Sequence, residues 1–212
     1  ADITLDQSGS TFGTLAITGA NVAVTENAAM DLGASTISGT ASFNSSSNAI
    51  TDSGTLAITG ATTLNSGSAD TTLNEASSTF GTLVLTGANV AVTENAATDL
   101  GASTVSGTFG ITSGGAITDS GTLAITGDAT FTNTSGSNDA ITLDDASNAF
   151  AGTVTFATDS GSAVTIVDTT ALDLKALSAA SLSVTAGGAV TDSGTLAITG
   201  ATTLNSGSAD LT

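Results

Sequence analysis

The chain copies itself, and the copying limits its fold more than any single residue does. Residues 51–70 (TDSGTLAITGATTLNSGSAD) recur letter for letter at 191–210. Residues 11–40 recur at 79–108 with Ala16, Ile17, Met30 and Ile37 replaced by Val84, Leu85, Thr98 and Val105. The dipeptide Ala-Asp at 1–2 returns at 69–70 and 209–210, and a looser copy starts at Asp139. The sequence thus divides into units 1–68, 69–138 and 139–208, with 209–212 opening a fourth. Self-similarity at a fixed period predicts a stacked array, one continuous segment over 1–212 in which each unit buries its apolar face against the next.

Within the units the apolar period is two. Leu15-Ala16-Ile17, Val22-Ala23-Val24, Leu56-Ala57-Ile58, Leu83-Val84-Leu85, Leu123-Ala124-Ile125, Val164-Thr165-Ile166 and Leu182-Ser183-Val184 set large aliphatics at i and i+2, the pattern of a half-buried β-strand. Ile17, Val24, Ile58, Leu85, Ile125, Ile166 and Ile198 are expected to point inward. Between the runs lie Gly, Ser, Asn and Asp. Thr-Asp-Ser-Gly recurs at 51–54, 118–121, 158–161 and 191–194, and these sites read as corners where Gly accepts positive φ and Asp or Ser bonds back to the backbone. The best helical stretch, Thr169 to Ala180, aligns with strands in the other copies. About nine strand-like segments per unit give three turns of three strands, ~23 residues per turn, and roughly nine turns at ~4.8 Å each make a rod near 45 Å. The expected fold is all-β, a parallel right-handed β-solenoid. An antiparallel sandwich is the competitor, but its Asn-Gly and Asp-Gly hairpin signals are missing.

Composition suits a narrow core. There is no Cys, Trp, Tyr, His or Pro, and the seven Phe are the only aromatics. Net charge is −18, yet only 9% of residues are charged and 40% are apolar, with mean hydropathy +0.34. Disordered chains pair high charge with low hydrophobicity, so order is expected. Lys175 is the single cation, which argues against nucleic acid and against anionic membranes as partners. No apolar run approaches the ~20 residues of a membrane helix. Missing cysteine and a single tryptic site fit a chain that crosses membranes unfolded and works outside the cell.

Chemistry is sought among the nineteen acidic residues. In the alignment of units Glu26, Glu94 and Asp168 match, as do Asp31, Asp99 and Asp173. Such columns would recur every three turns, roughly 14 Å apart, too far for a shared proton. Within a unit, Glu26 with Asp31, Glu94 with Asp99, or Asp168 with Asp173 could hold Ca²⁺ at a corner together with backbone oxygens. The bland reading is solvated corner charge, and it is preferred; no cofactor is expected. Nucleophilic catalysis lacks any His or Cys, so an enzyme is not expected. Matched asparagines (Asn21 with Asn89, Asn27 with Asn95, Asn65 with Asn205) suggest stacked amide ladders.

Repeats of the type Gly-Thr-Leu-Ala-Ile-Thr-Gly-Ala, with alternating aliphatics and Gly or Asn at corners, resemble filamentous haemagglutinin-type adhesins and the large β-strand-repeat surface proteins of bacteria. The resemblance spans the chain but is one of pattern. It implies a right-handed parallel β-helix, export to the bacterial cell surface, and a fibrous shaft with adhesive or scaffolding roles. A carbohydrate- or surface-binding module is the alternative, with surface glycans as partners and ice binding a weaker version. The start, Ala1-Asp2-Ile3-Thr4-Leu5, is ordinary repeat sequence and Ala209-Asp210-Leu211-Thr212 begins the next unit. The expectation is therefore continuation, in one long chain or by head-to-tail stacking of subunits.

Overall fold

The computed structural model describes residues 1–207; the start of the fourth unit at 209–212 lies outside the described residues. The chain winds into a parallel β-solenoid of about ten turns of about 20 residues. Among the described residues 29 short strands all pair in parallel, and no helix occurs. The alternation of Val, Leu and Ile with Thr, Ser and Ala makes these strands, because an extended chain sends successive side chains to opposite faces. Ile17, Val24, Ile58, Leu85, Ile125 and Ile166 are buried as expected, and Ile198 is half-buried against the core. The stretch with helical composition forms two strands, Leu172–Leu174 and Leu177–Ala179.

Sheet order gives the winding. One ten-stranded sheet runs Thr14–Leu15, Met30–Leu32, Ile50–Asp52, Thr71–Leu73, Val90–Glu94, Phe109–Ser113, Ala129–Asn133, Thr153–Ala157, Leu172–Leu174, Val190–Asp192. A fourteen-stranded sheet starts at Ile3–Leu5, Val22–Thr25, Ala41–Asn44 and Thr62–Asn65, then branches at Thr82–Gly87. There Thr82 and Leu83 pair with Asp99 and Leu100, while Thr86 and Gly87 pair with Thr104 and Val105. One branch ends at Thr202–Asn205 and the other at Ala149–Phe150. Two short sheets complete the wall, one of Thr18–Gly19, Ser35–Ile37 and Leu56–Ile58, the other of Leu177–Ala179 and Leu196–Ile198.

The repeat of the sequence is not the repeat of the turn. Val22–Thr25 lies in the fourteen-stranded sheet, but its copy Val90–Glu94 lies in the ten-stranded one; Met30–Leu32 and its copy Thr98–Leu100 exchange sheets the other way. Ten segments, not nine, fill a unit once Thr79 is counted, whose bridge to Ala57 is too short to be a strand. Ten is not divisible by three, so each copy starts on another face. The turn is consequently shorter than ~23 residues, and matched residues of successive units do not form a column along the axis.

The core is a row of Val, Leu and Ile thickened by phenylalanine. Phe131 meets Phe109 (5.8 Å, 66°), Phe150 (6.1 Å, 88°) and Phe156 (5.7 Å, 23°) between ring centres and planes. Such edge and offset contacts add to the area each ring buries. Six of the seven Phe are buried and Phe12 is half-buried.

Glycine acts here through close approach rather than positive φ. Among the described residues positive φ is confined to Gly67, Gly136, Gly207, Ser46, Ser47 and Asn138, none of them in Thr-Asp-Ser-Gly. At Gly54, Gly121 and Gly194 a Cβ would fall on the backbone nitrogen of Ala34, Ala102 and Ala176 in the turn below. Corners of adjacent turns touch, and only a residue without a side chain fits. The fourth Thr-Asp-Ser-Gly, at 158–161, is a surface loop off this corner.

Candidate functional site

Glu26, Glu94 and Asp168 lie inside the solenoid, not on solvated corners, which corrects the expectation for them. Their exposures are 0%, 2% and 1%. Each sits in phase with inward aliphatics: Val22, Val24, Glu26; Val90, Val92, Glu94; Val164, Ile166, Asp168. Each carboxylate turns to a matched backbone group. Glu26 Oε2 accepts the N–H of Phe12 at 2.8 Å, Glu94 Oε2 that of Phe80 at 3.1 Å, and Asp168 Oδ1 that of Phe150 at 3.3 Å. The shorter Asp168 also takes the N–H and hydroxyl of Thr170, at 2.9 and 3.0 Å. The second oxygen of all three is buried without a hydrogen-bond partner. Burial pushes all three carboxyls above their ordinary range, Glu94 to about 7, against the opposing pull of the Phe12 N–H on Glu26, of the Thr98 hydroxyl and then the Phe80 N–H on Glu94, and of the Thr170 N–H and hydroxyl and the Phe150 N–H on Asp168.

The positions above Glu26 and Glu94 in register are polar, whereas Asp168 pairs with Ala186. Glu94 pairs with Ser113, and Ser113 with Asn133. The N–H of Glu26 donates to Asn44 and that of Ser45 to Asn65, which places Ser45 over Glu26 in the next turn. An internal polar seam thus runs beside the aliphatic core.

Asp31, Asp99 and Asp173 are half-buried on the wall. Asp31 Oδ2 accepts the hydroxyls of Thr14 (2.6 Å) and Ser53 (2.8 Å), and Asp99 Oδ2 those of Thr82 (2.7 Å) and Ser120 (2.8 Å). They fasten three successive turns. Their unit partners Glu26 and Glu94 bond to Phe12 and Phe80 instead, and among the described residues no three acidic side chains come together to hold a metal ion.

Asparagine makes mixed ladders rather than amide stacks. Asp2 Oδ1 accepts from the backbone N–H and Nδ2 of Asn21, whose Oδ1 accepts from the N–H and hydroxyl of Thr40. Asp70, Asn89 and Thr108 repeat this one unit later. Asn65 instead folds its Oδ1 onto the N–H of Gly67, and Asn205 onto Gly207. Backbone N–H donors hold the Asp2 and Asp128 carboxyls below the usual range, Asn21 for the first and Thr153 for the second. Lys175 is exposed and its charge is felt at Asp128. The depression lined by Asp2, Ile3, Thr4, Asn21 and Ala23 is a shallow surface groove.

These features define a repeat β-solenoid whose polar side chains serve the stacking of its own turns. The chain belongs to the family described as repeats of unknown function (DUF5649), whose model matches residues 19–86, 87–157 and 161–212. Those matches restate the three units in another phase. Among curated proteins and solved structures no match to the chain was found.

Proposed function

We propose that the chain is a length of shaft in an extracellular bacterial filament or adhesin, of the kind it resembles in filamentous haemagglutinin-type and β-strand-repeat surface proteins. The observation that carries this reading is the mismatch between unit and turn. Each copy meets its predecessor on a new face, so adding copies extends the wall evenly and presents no recurrent groove. Inward phenylalanines support it too, since sugar-binding surfaces stack aromatics outward and all seven rings here are at least half-buried. The partner is then the array itself rather than a glycan. Catalysis has no place in the reading: there is no His or Cys, and each buried carboxylate is engaged by backbone N–H groups and neighbouring hydroxyls of its own wall.

Electron microscopy of native material tests this. About ten turns at ~4.8 Å each span roughly 50 Å, so thin unbranched fibres many times that length at the cell surface are expected. Discrete particles of 20.1 kDa inside the cell overturn it.

A further inference from the structure

One segment of the wall hangs on carboxyl groups more than on strand pairing. Residues 74–81 join Thr71–Leu73 to Thr82–Gly87 and meet the turn below through the single bridge Ala57–Thr79. At the first end of the segment the N–H groups of Asn74 and Glu75 donate to the half-buried Asp52 carboxyl, at 2.8 and 3.2 Å. At its last end the N–H of Phe80 donates to Glu94. Between them Ser78 Oγ takes the N–H of Leu56 at 3.0 Å, the N–H of Thr79 donates to Leu56, and that of Ile58 donates to Thr79. The matching segment of the next unit, 144–151, is held more firmly. There Ala149 and Phe150 pair with Ala124 and Ile125, and the buried Asn148 side chain accepts the N–H of Leu123 at 2.8 Å. Its acid, Asp168, gathers two donors from Thr170 as well as the N–H of Phe150.

Glu94 is shut inside with nothing to balance a charge. Its Oε1 has no partner, and no charged side chain acts on it. The Thr98 hydroxyl is buried beside it, where the first unit has Met30 and the third Leu172. Phe109–Ser113, paired above, carries no ionisable side chain, and neither does Thr71–Leu73 in the turn below. Asp99 of Thr98–Leu100 is taken up on the wall by Thr82 and Ser120, while Asp52 and Glu75 stand at the other end of the segment.

We propose that residues 74–81 form a pH-gated strap, closed while Glu94 is protonated and released when it ionises. A carboxylate enclosed without a cation is costly, because water solvates it far better than a few donors do. The strap is the part that yields, since one bridge ties it to the turn below. Its release bares the N–H groups of Leu56 and Ile58 and the C=O of Leu56, a short strand edge in the middle of the wall. The sign follows from burial, which raises Glu94 from 4.5 to about 7 in the closed strap, whereas the open strap returns it to its ordinary value. Closure is therefore full below pH 4.5 and weakens tenfold per pH unit up to about 7, about 300-fold in all. The strap uses one segment of one unit and stands independently of the shaft reading.

Amide exchange of the intact chain, expressed as protection relative to the unstructured rate at each pH and repeated in low urea, is the decisive measurement. From pH 5 to pH 8 the amides of Leu56, Ile58, Thr79 and Phe80 lose protection roughly 70-fold. At pH 8 their exchange is insensitive to low urea, because opening a strap exposes little surface. The amides of Phe109 and Thr126, bonded to Asp128 and Val105 inside the wall, stay better protected and respond to urea. In Glu94→Gln, whose side-chain carbonyl accepts the same N–H without titrating, the four strap amides keep equal protection at both pH values. Strap amides that share the protection and urea response of Phe109 at pH 8 overturn the proposal, since the rod then opens as a whole. So does a fall that Glu94→Gln retains, or no fall in the wild type. Should Glu94→Gln not fold, the wild-type contrast between the two sets of amides still decides.

Discussion

Glu94 reaches across the inside of the solenoid to accept the backbone N–H of Phe80 at 3.1 Å, and its other oxygen is buried with no partner. The pair recurs as Glu26 with Phe12 and Asp168 with Phe150. The N–H is one that the neighbouring strand does not satisfy, at the segment where pairing shrinks to a single bridge. A buried donor left unpaired costs about 1–3 kcal/mol. A carboxyl supplies the acceptor, and a protonated one does so without a buried charge.

Stability should therefore fall as pH rises through neutrality. The carboxyl of Glu94 has its pKa raised from 4.5 to about 7 by burial. Below pH 4.5 both folded and unfolded chains hold the proton and stability is full. Between there and pH 7 only the folded chain holds it, so the contribution is lost with rising pH, up to roughly 3–3.5 kcal/mol at about 1.4 kcal/mol per unit. The urea midpoint of the wild type should drop from pH 4 to pH 8, and Glu94→Gln should flatten that drop. Parallel curves for the two proteins would remove Glu94 from the account.

Glycine at the corners should be intolerant where turns touch and tolerant elsewhere. Gly54→Ala places a methyl against the backbone of Ala34, whereas a Cβ at Gly9 meets nothing within 4 Å. Overpacking against rigid backbone costs about 1–3 kcal/mol or more, while the Gly9 change should stay within roughly 0.5 kcal/mol. Denaturant titration of the two variants decides it, and equal stabilities would contradict the close-approach reading.

The strands, their parallel stacking and the inward residues were legible because a period of two fixes which side chains share a face. The buried acids were legible in principle by the same rule. Glu94 stands two residues after Val92, just as Val92 follows Val90, and parity alone sends it inward; its charge argued for the surface and misled. Turn length was not legible. Thr79 makes one bridge, too short to show as a run of alternating residues, so a unit of ten segments reads as nine. Nor could Gly54 reveal whether it serves a positive φ or a close contact, since the neighbour it avoids is Ala34 in another turn.

The phenylalanine cluster should be the stiffest part of the rod. Phe131 contacts three other rings, and Phe131→Ala should cost about 3–5 kcal/mol through lost burial and a cavity. Because a solenoid is held by neighbouring turns, the damage should be local. Amide exchange should rise over residues 105–160 and stay near wild type over residues 20–60. Uniform acceleration along the whole chain would mean that the rod unfolds as one unit.

Calcium should act between rods rather than within one. Asp31 and Asp99 each already accept two hydroxyl hydrogen bonds on one oxygen, from Thr14 and Ser53 and from Thr82 and Ser120. A cation needs about six to eight oxygens, and no three acidic side chains converge among the described residues. Millimolar Ca²⁺ should then leave the thermal midpoint within about 1 °C, since a ligand stabilises only by binding the folded state more tightly than the unfolded. Between molecules the case differs: net charge −18 with one cation keeps rods apart, and a divalent ion bridges carboxylates of two rods more effectively than sodium screens them. Light scattering should rise with Ca²⁺ beyond the rise in NaCl of equal ionic strength, and a chelator should reverse it. A midpoint raised by several degrees and lowered again by the chelator would instead place a bound ion within a single rod.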